Sequence, residues 1–337
     1  MSDRGVSTVA PLQVLRGLAA TMVAGFHLYE VRQDQDGLFV VFQNGDAGVD
    51  LFFVLSGFII LYSENAAQKS SVMEFAKKRF WRLFPPYWII LTLYVISYTA
   101  LIVLIGDGDK EMTFSNLAVS YLLLPYPDHI IVIAWTLSVE LIFYTVFAVT
   151  FLGLGRMWFY AAMVAWVTAA QLYLLDRDLS SPFLNLVLHS SSFSFLVGAF
   201  IADLYLRGAR RFRNAALWVG GISLLTYMAG LWQPPEAIGR EIVPGLPAAL
   251  LIYGVLDRDW RVPQVLVTWG EASYILYLLH LLFFAISGKV VSLIFGVDIY
   301  QNSLGMLAML GAVSAVAYVA CVKLERPYQK WYRKNRL

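Results

Sequence analysis

Arg16 and His27 stand eleven residues apart in LQVLRGLAATMVAGFH (12–27), a stretch otherwise made mostly of apolar and small side chains. At about 100° per residue that spacing returns both to one helix face, about 16 Å apart along the axis. An arginine at mid-helix in hydrocarbon costs roughly 2.5–3.5 kcal/mol, so a function has to offset it. Such a stripe can hold an anionic group at one depth and a reactive centre at another. An imidazole, with a pKa of about 6.5, takes a proton from a hydroxyl at neutral pH. The plainer alternative is that each side chain snorkels to its own interface.

Further residues invite chemistry. Glu140 lies in the middle of an apolar run that contains no base to pair with it, which marks either a working carboxylate or an interhelical hydrogen bond. His280 sits within another such run, with Tyr274 and Tyr277 near it, as a reacting group or a satisfied structural one. Arg79 and Arg82, three apart, share a helix face. Their guanidinium forks suit phosphates, or else anionic lipid heads. His129 and His189 fall at helix ends. The four histidines lack a metal-ligand spacing and there is no glycine-rich phosphate loop, so no metal is expected. One cysteine, Cys321, leaves neither a disulfide framework nor a thiolate metal site.

The elements that carry these residues follow from composition. The 337 residues are 59% hydrophobic and 14% charged, with 10 Trp, 19 Tyr and 22 Phe. A soluble domain carries about 25% charged residues. Apolar runs long enough to span a bilayer recur from end to end, so the expected class is all-α: a polytopic membrane helix bundle. Ten spans are expected, at 11–30, 47–64, 85–106, 131–153, 157–175, 184–206, 214–232, 240–256, 270–295 and 303–323. With the N-terminus cytoplasmic, 19 of the 25 Lys and Arg fall in inner segments. Arg32, Lys110, Arg177 and Arg240 fall outside, and Arg16 and Lys289 lie within spans. That asymmetry places both termini in the cytoplasm. The first helix has no small-residue cleavage site behind it and reads as an anchor. Residues 65–84 interleave bases with Phe75, Phe80, Trp81 and Phe84, as in a helix lying in the inner interface. Pro85 and Pro86 are expected to end that stretch and start the third span. No linker divides the chain, so a single domain over 1–337 without an appended soluble domain is expected.

The opening stretch resembles that of the acyltransferase 3 family, whose signature is Arg, ten residues, then His. Five further blocks follow in the family's order. GVDLFFVLSGFII (48–60) is similar to its second-helix motif and FAKKRFWRLFPPYW (75–88) to its basic segment. AWTLSVELIFY (134–144) resembles its Trp-x-Leu-x-x-Glu helix, SYILYLLH (273–280) its late histidine helix, and ERPYQKW (325–331) its closing Glu-x-Pro. Within the family the wording is most similar to membrane O-acetyltransferases of bacterial exopolysaccharides.

The resemblance implies a multi-pass enzyme of a bacterial inner membrane that moves an acetyl group from acetyl-CoA to a hydroxyl of a surface polysaccharide or its lipid-linked precursor. His27 would be the base or a briefly acylated nucleophile, with Glu140 orienting it or binding acceptor hydroxyls. Asp50, otherwise a helix-capping carboxylate, becomes a possible partner of His27. Arg16, Arg79 and Arg82 would hold coenzyme A, and His280, Tyr277 and Trp135 the substrate. Trp232, Pro234, Pro235 and Tyr300 are candidates for stacking on sugar. Membrane lipids are expected partners and nucleic acid is not. A transporter or flippase of a lipid-linked or anionic solute, with Arg16, His27 and Glu140 as an ion path, is the competing class.

Overall fold

The computed structural model describes residues 3–32, 37–66, 70–105, 112–175, 181–233, 242–258 and 260–335. Lys69, Lys110, Arg177, Pro234, Pro235, Arg240 and Arg336 therefore lie outside the described residues. Those described form fourteen α-helices and no strand: α1 Asp3–Val31, α2 Ala47–Ala66, α3 Val72–Ile105, α4 Phe114–Leu122, α5 Trp135–Phe147, α6 Arg156–Leu175, α7 Pro182–Val187, α8 Ser192–Leu206, α9 Arg213–Met228, α10 Ile242–Val255, α11 Gln264–Glu271, α12 Ser273–Phe295, α13 Ser303–Ala320 and α14 Arg326–Lys334. Among the described residues seven helical stretches are long and apolar enough to cross a membrane. The α9 and α10 helices, at 16 and 14 residues, are shorter than these.

The chain divides into two compact units, one of residues 1–63 with 193–337 and one of residues 64–192. In the first, helix backbones approach closely at three glycines. A Cβ on Gly270 of α11 would lie 1.8 Å from the Gln13 carbonyl oxygen of α1. Gly57 of α2 and Gly198 of α8 likewise sit against the backbones of Phe195 and Val54. Without hydrophobic drive between helices in lipid, such close packing is what holds spans together. The second unit is built on aromatic rings. Phe75 of α3, Phe147 of α5 and Phe159 of α6 are buried with neighbouring centroids 5.4 Å apart, and Phe151 stacks on Phe147 at 4.7 Å. Tyr87 and Trp88 of α3 donate to the carbonyls of Ser120 and Tyr121 at the end of α4.

Two sequence expectations need correction. Pro85 and Pro86 end nothing: α3 runs unbroken from Val72 to Ile105, so residues 72–84 are the first turns of one long helix rather than a separate interfacial one. The prolines omit two intrahelical bonds, while the aromatic ladder Phe80–Phe84–Trp88, with successive centroids 4.8 and 5.3 Å apart, carries packing across them. The span expected at 184–206 corresponds to the single membrane-crossing stretch Pro182–Leu206, which turns briefly between α7 and α8. There His189 Nδ1 accepts from the Ser191 N–H at 3.2 Å, a local bond that competes with the helical ladder. Finally, the last span does not stop at 323. A π-turn, Cys321–Glu325, leads into α14, with Arg326 donating to Glu271 Oε2 at 2.6 and 2.8 Å.

Candidate active site

In the first unit, α1 delivers Arg16 and His27 from one helix, as their spacing requires. The Arg16 guanidinium donates to Gln13 Oε1 at 3.4 Å, one turn back. His27 Nδ1 lies 3.0 Å from Glu30 Oε2, one turn on. With Nδ1–H as donor, Nε2 carries the lone pair, which is the tautomer a base needs. Glu30 is a candidate site residue that sequence reasoning missed. Its signal was the three-residue step from His27 in HLYE, which puts both on one face. Asp50, expected as a partner of His27, is buried and accepts a hydrogen bond from the Ser194 hydroxyl at 2.8 Å.

His280 of α12 brings a second imidazole to the first. The two rings stack, with centroids 5.3 Å apart and planes 22° off parallel. His280 is fully buried, and its Nδ1 donates to the Leu276 carbonyl at 3.3 Å. Its Nε2 is buried without a hydrogen-bond partner. A buried acceptor in that state costs about 1–3 kcal/mol. Tyr277, Phe284 and Phe26 surround the imidazole pair: Tyr277 and Phe284 flank His280 at 6.1 and 5.8 Å, and Phe26 meets His27 at 5.2 Å. Tyr277 also meets Phe52 edge-on.

The second unit holds Glu140, Arg79, Arg82 and Trp135. Tyr144, one turn after Glu140 on α5, donates to Glu140 Oε1 at 2.6 Å. The Arg79 guanidinium lies over the rings of Phe75 and Tyr144, 5.2 and 5.3 Å from their centroids, within electrostatic reach of Glu140 and Glu64. Arg82, one turn further along α3, is exposed. Trp135 packs against His189 with centroids 4.7 Å apart. His129, ordinary in the sequence, is buried with Nε2 3.1 Å from the Ser138 hydroxyl; burial brings its pKa down to about 4, so it is neutral at physiological pH.

Of the residues expected to stack on sugar, Trp232 donates to the Thr226 hydroxyl, and Tyr300 points inward, its hydroxyl 2.5 Å from the Phe284 carbonyl oxygen. Burial, and secondarily the Asp298 charge, raises the Tyr300 phenol to about 12.

An imidazole held by a carboxylate beside a second, buried imidazole offers the groups that general acid–base chemistry uses. Comparison gives the family. The chain matches the acyltransferase domain of the acyltransferase 3 family over residues 10–322 and belongs to that family. It is similar to the exopolysaccharide production protein ExoZ of Rhizobium meliloti, 27% identical over 88% of this chain and 93% of that protein. It is also similar to the acyltransferase MdmB of Streptomyces mycarofaciens, 24% identical over 91% of this chain and 87% of that one. No solved structure matches.

Proposed function

We propose that this acyltransferase moves an acetyl group from acetyl-CoA to a hydroxyl of a bacterial surface polysaccharide or its lipid-linked precursor. The observation that carries the reading is the pair of imidazoles: His27 tautomerised by Glu30, and His280 with an unpartnered buried Nε2. Support for the acceptor comes from the similarity to a protein named for exopolysaccharide production.

In the proposed step, His27 Nε2 takes the proton of the acceptor hydroxyl as its oxygen attacks the thioester carbonyl. The tetrahedral intermediate collapses, the C–S bond breaks, and the coenzyme A thiolate recovers the proton from His27. Glu30 stabilises the imidazolium formed in between, and His280 Nε2 accepts a hydrogen bond that orients the acceptor sugar, with Tyr277 beside it. Arg16 in the first unit and Arg79 and Arg82 in the second each offer a guanidinium suited to a phosphate of the donor, and Tyr144 and Glu140 hold Arg79 in place. This makes Glu140 a positioning residue for the donor, where the family resemblance suggested orienting His27 or binding acceptor hydroxyls. Trp135 is assigned to the acceptor on the family motif.

The same reading takes the chain as ten spans with both termini cytoplasmic in a bacterial inner membrane, supported by the 19-to-4 distribution of bases. The family match from 10 to 322 takes in residues of both units, which supports one acyltransferase domain over 1–337.

The test is label transfer from [14C]acetyl-CoA to polysaccharide by the purified protein. Transfer by wild type and none by His27→Ala, with coenzyme A still bound, is expected. Solute movement across vesicles without any transfer would favour the transporter class.

A further inference from the structure

Apart from the histidine cluster, the first unit has a cavity of about 460 Å³ lined by Arg210, Phe212, Arg213, Asn214, Asp257 and Arg258. It lies where the connection after α8 and the connection after α10 meet the start of α9. Three guanidiniums face one carboxylate there, and that carboxylate is engaged. Asp257 accepts from Arg210 Nε at 2.6 Å and from the Tyr205 hydroxyl. Burial alone would raise the Asp257 carboxyl, but those two donors outweigh it and hold it below the usual carboxylate range. Arg258 is fixed by Gly254 O and Asn214 Oδ1, both at 2.8 Å.

Arg213 differs from its neighbours. Its Nε and Nη2 are shut off from solvent and have no hydrogen-bond partner. Cationic donors in that state are costly unless an acceptor reaches them. The backbone around them adds to the same polarity. Arg213 opens α9, whose N-cap residue, Phe212, cannot cap with its side chain, so the first-turn N–H groups are left pointing outward. Phe212 and Asp257, one from each connection, adopt left-handed φ of 61° and 50°, and these conformations persist only where the surroundings impose them.

We propose that this cavity binds a phosphate group, held by Arg213, Arg258 and the α9 N-terminus. Net charge of the lining and the tetrahedral geometry of phosphate oxygens suit guanidinium forks. Two molecules present this group at a membrane: an anionic phospholipid through its headgroup, and coenzyme A through its 3′-phosphate, with its diphosphate left to the arginines named above. The second source rests on the acetyl-CoA reading above; the first does not.

The experiment measures binding, not transfer, on the full chain in detergent. Native mass spectrometry reads phosphatidylglycerol against phosphatidylcholine, and calorimetry reads coenzyme A against 3′-dephospho-coenzyme A. Arg213→Gln and Arg258→Gln, each checked as monodisperse, should weaken one anionic probe by roughly tenfold or more, the loss expected for one charge-assisted hydrogen bond. Loss of phosphatidylglycerol with coenzyme A unchanged identifies a lipid site. Loss of coenzyme A together with its preference over the dephospho form identifies a donor site. Wild-type binding of both probes in both variants overturns the proposal while leaving acyl transfer standing, and so does failure of wild type to prefer either anionic probe over its control. Should one variant misfold, the other and the wild-type preferences still decide.

Discussion

The histidine cluster of the first unit and the arginine–carboxylate cluster of the second use similar ingredients to opposite ends. His27 and His280 stack with only one nitrogen of each ring tied, to Glu30 and to a backbone carbonyl, and the Nε2 of His280 is buried with no partner. Arg79, by contrast, is enclosed by two aromatic faces, and Tyr144 binds Glu140 through a short charge-assisted hydrogen bond. Unfilled hydrogen-bonding capacity in a buried place is costly to keep, and in the proposed reading the substrate completes the set. A filled network fixes a charge in space. The first cluster should therefore govern the rate of the chemical step, and the second the binding of the donor.

The strongest way to break this comparison is His27→Ala. General-base removal should lower kcat by roughly 10²–10⁴-fold while acetyl-CoA affinity, read by calorimetry, stays near wild type. Glu30→Gln should follow in the same direction but by roughly tenfold, because a glutamine can still accept from Nδ1–H yet no longer stabilises an imidazolium. Equal losses of donor affinity in both variants would remove the distinction between the clusters. Arg16→Ala, on the same helix face as His27, should instead weaken donor binding, with Arg16→Lys recovering it only in part, since an ammonium does not reproduce the fork.

Next in size is the exposed arginine. Arg82→Ala should raise KM for acetyl-CoA by roughly 10–100-fold with a smaller change in kcat, as expected for one lost hydrogen bond to a charged phosphate. Arg79→Ala should do the same and also lower stability, because its guanidinium covers the rings of Phe75 and Tyr144. An unchanged KM in either stable variant would assign this part of α3 to lipid heads.

How much of this the sequence showed depends on the range of the interaction. The Arg16–His27 stripe, the apolar helices and the interest of His280 were legible because helical period and hydrocarbon cost act within a single segment. Glu30 and Tyr144 were legible in principle, at three- and four-residue steps from His27 and Glu140, but a carboxylate at a helix end and a tyrosine among aromatics look ordinary until a partner is known. The course of α3 through Pro85 and Pro86 was not legible, because the contacts that carry it, from Trp88 to the Tyr121 carbonyl and along the Phe80–Phe84–Trp88 ladder, include partners distant in the chain. Nor was the stacking of His27 on His280, which needs α1 and α12 side by side. The Arg213 cavity was hidden for the same reason: positive-inside counting recorded its bases only as topology.

The smallest expected effect sharpens the comparison most, because it concerns the residue whose role the two clusters contest. Glu140→Gln keeps the shape of the side chain and lets Tyr144 still donate to an amide oxygen, but it removes the charge within reach of Arg79. If Glu140 only positions the donor arginines, KM for acetyl-CoA should rise by roughly tenfold, about one charged hydrogen bond's worth, with kcat lowered less. Tyr144→Phe should have the same sign and a smaller size, since it takes away one bond and leaves the carboxylate. Because both act through the same guanidinium, the double variant should cost less than the sum of the two. A collapse of kcat in Glu140→Gln with KM unmoved would place the carboxylate in the chemical step, as the family resemblance suggested. Strict additivity with Tyr144→Phe would separate the pair that the structure joins at 2.6 Å.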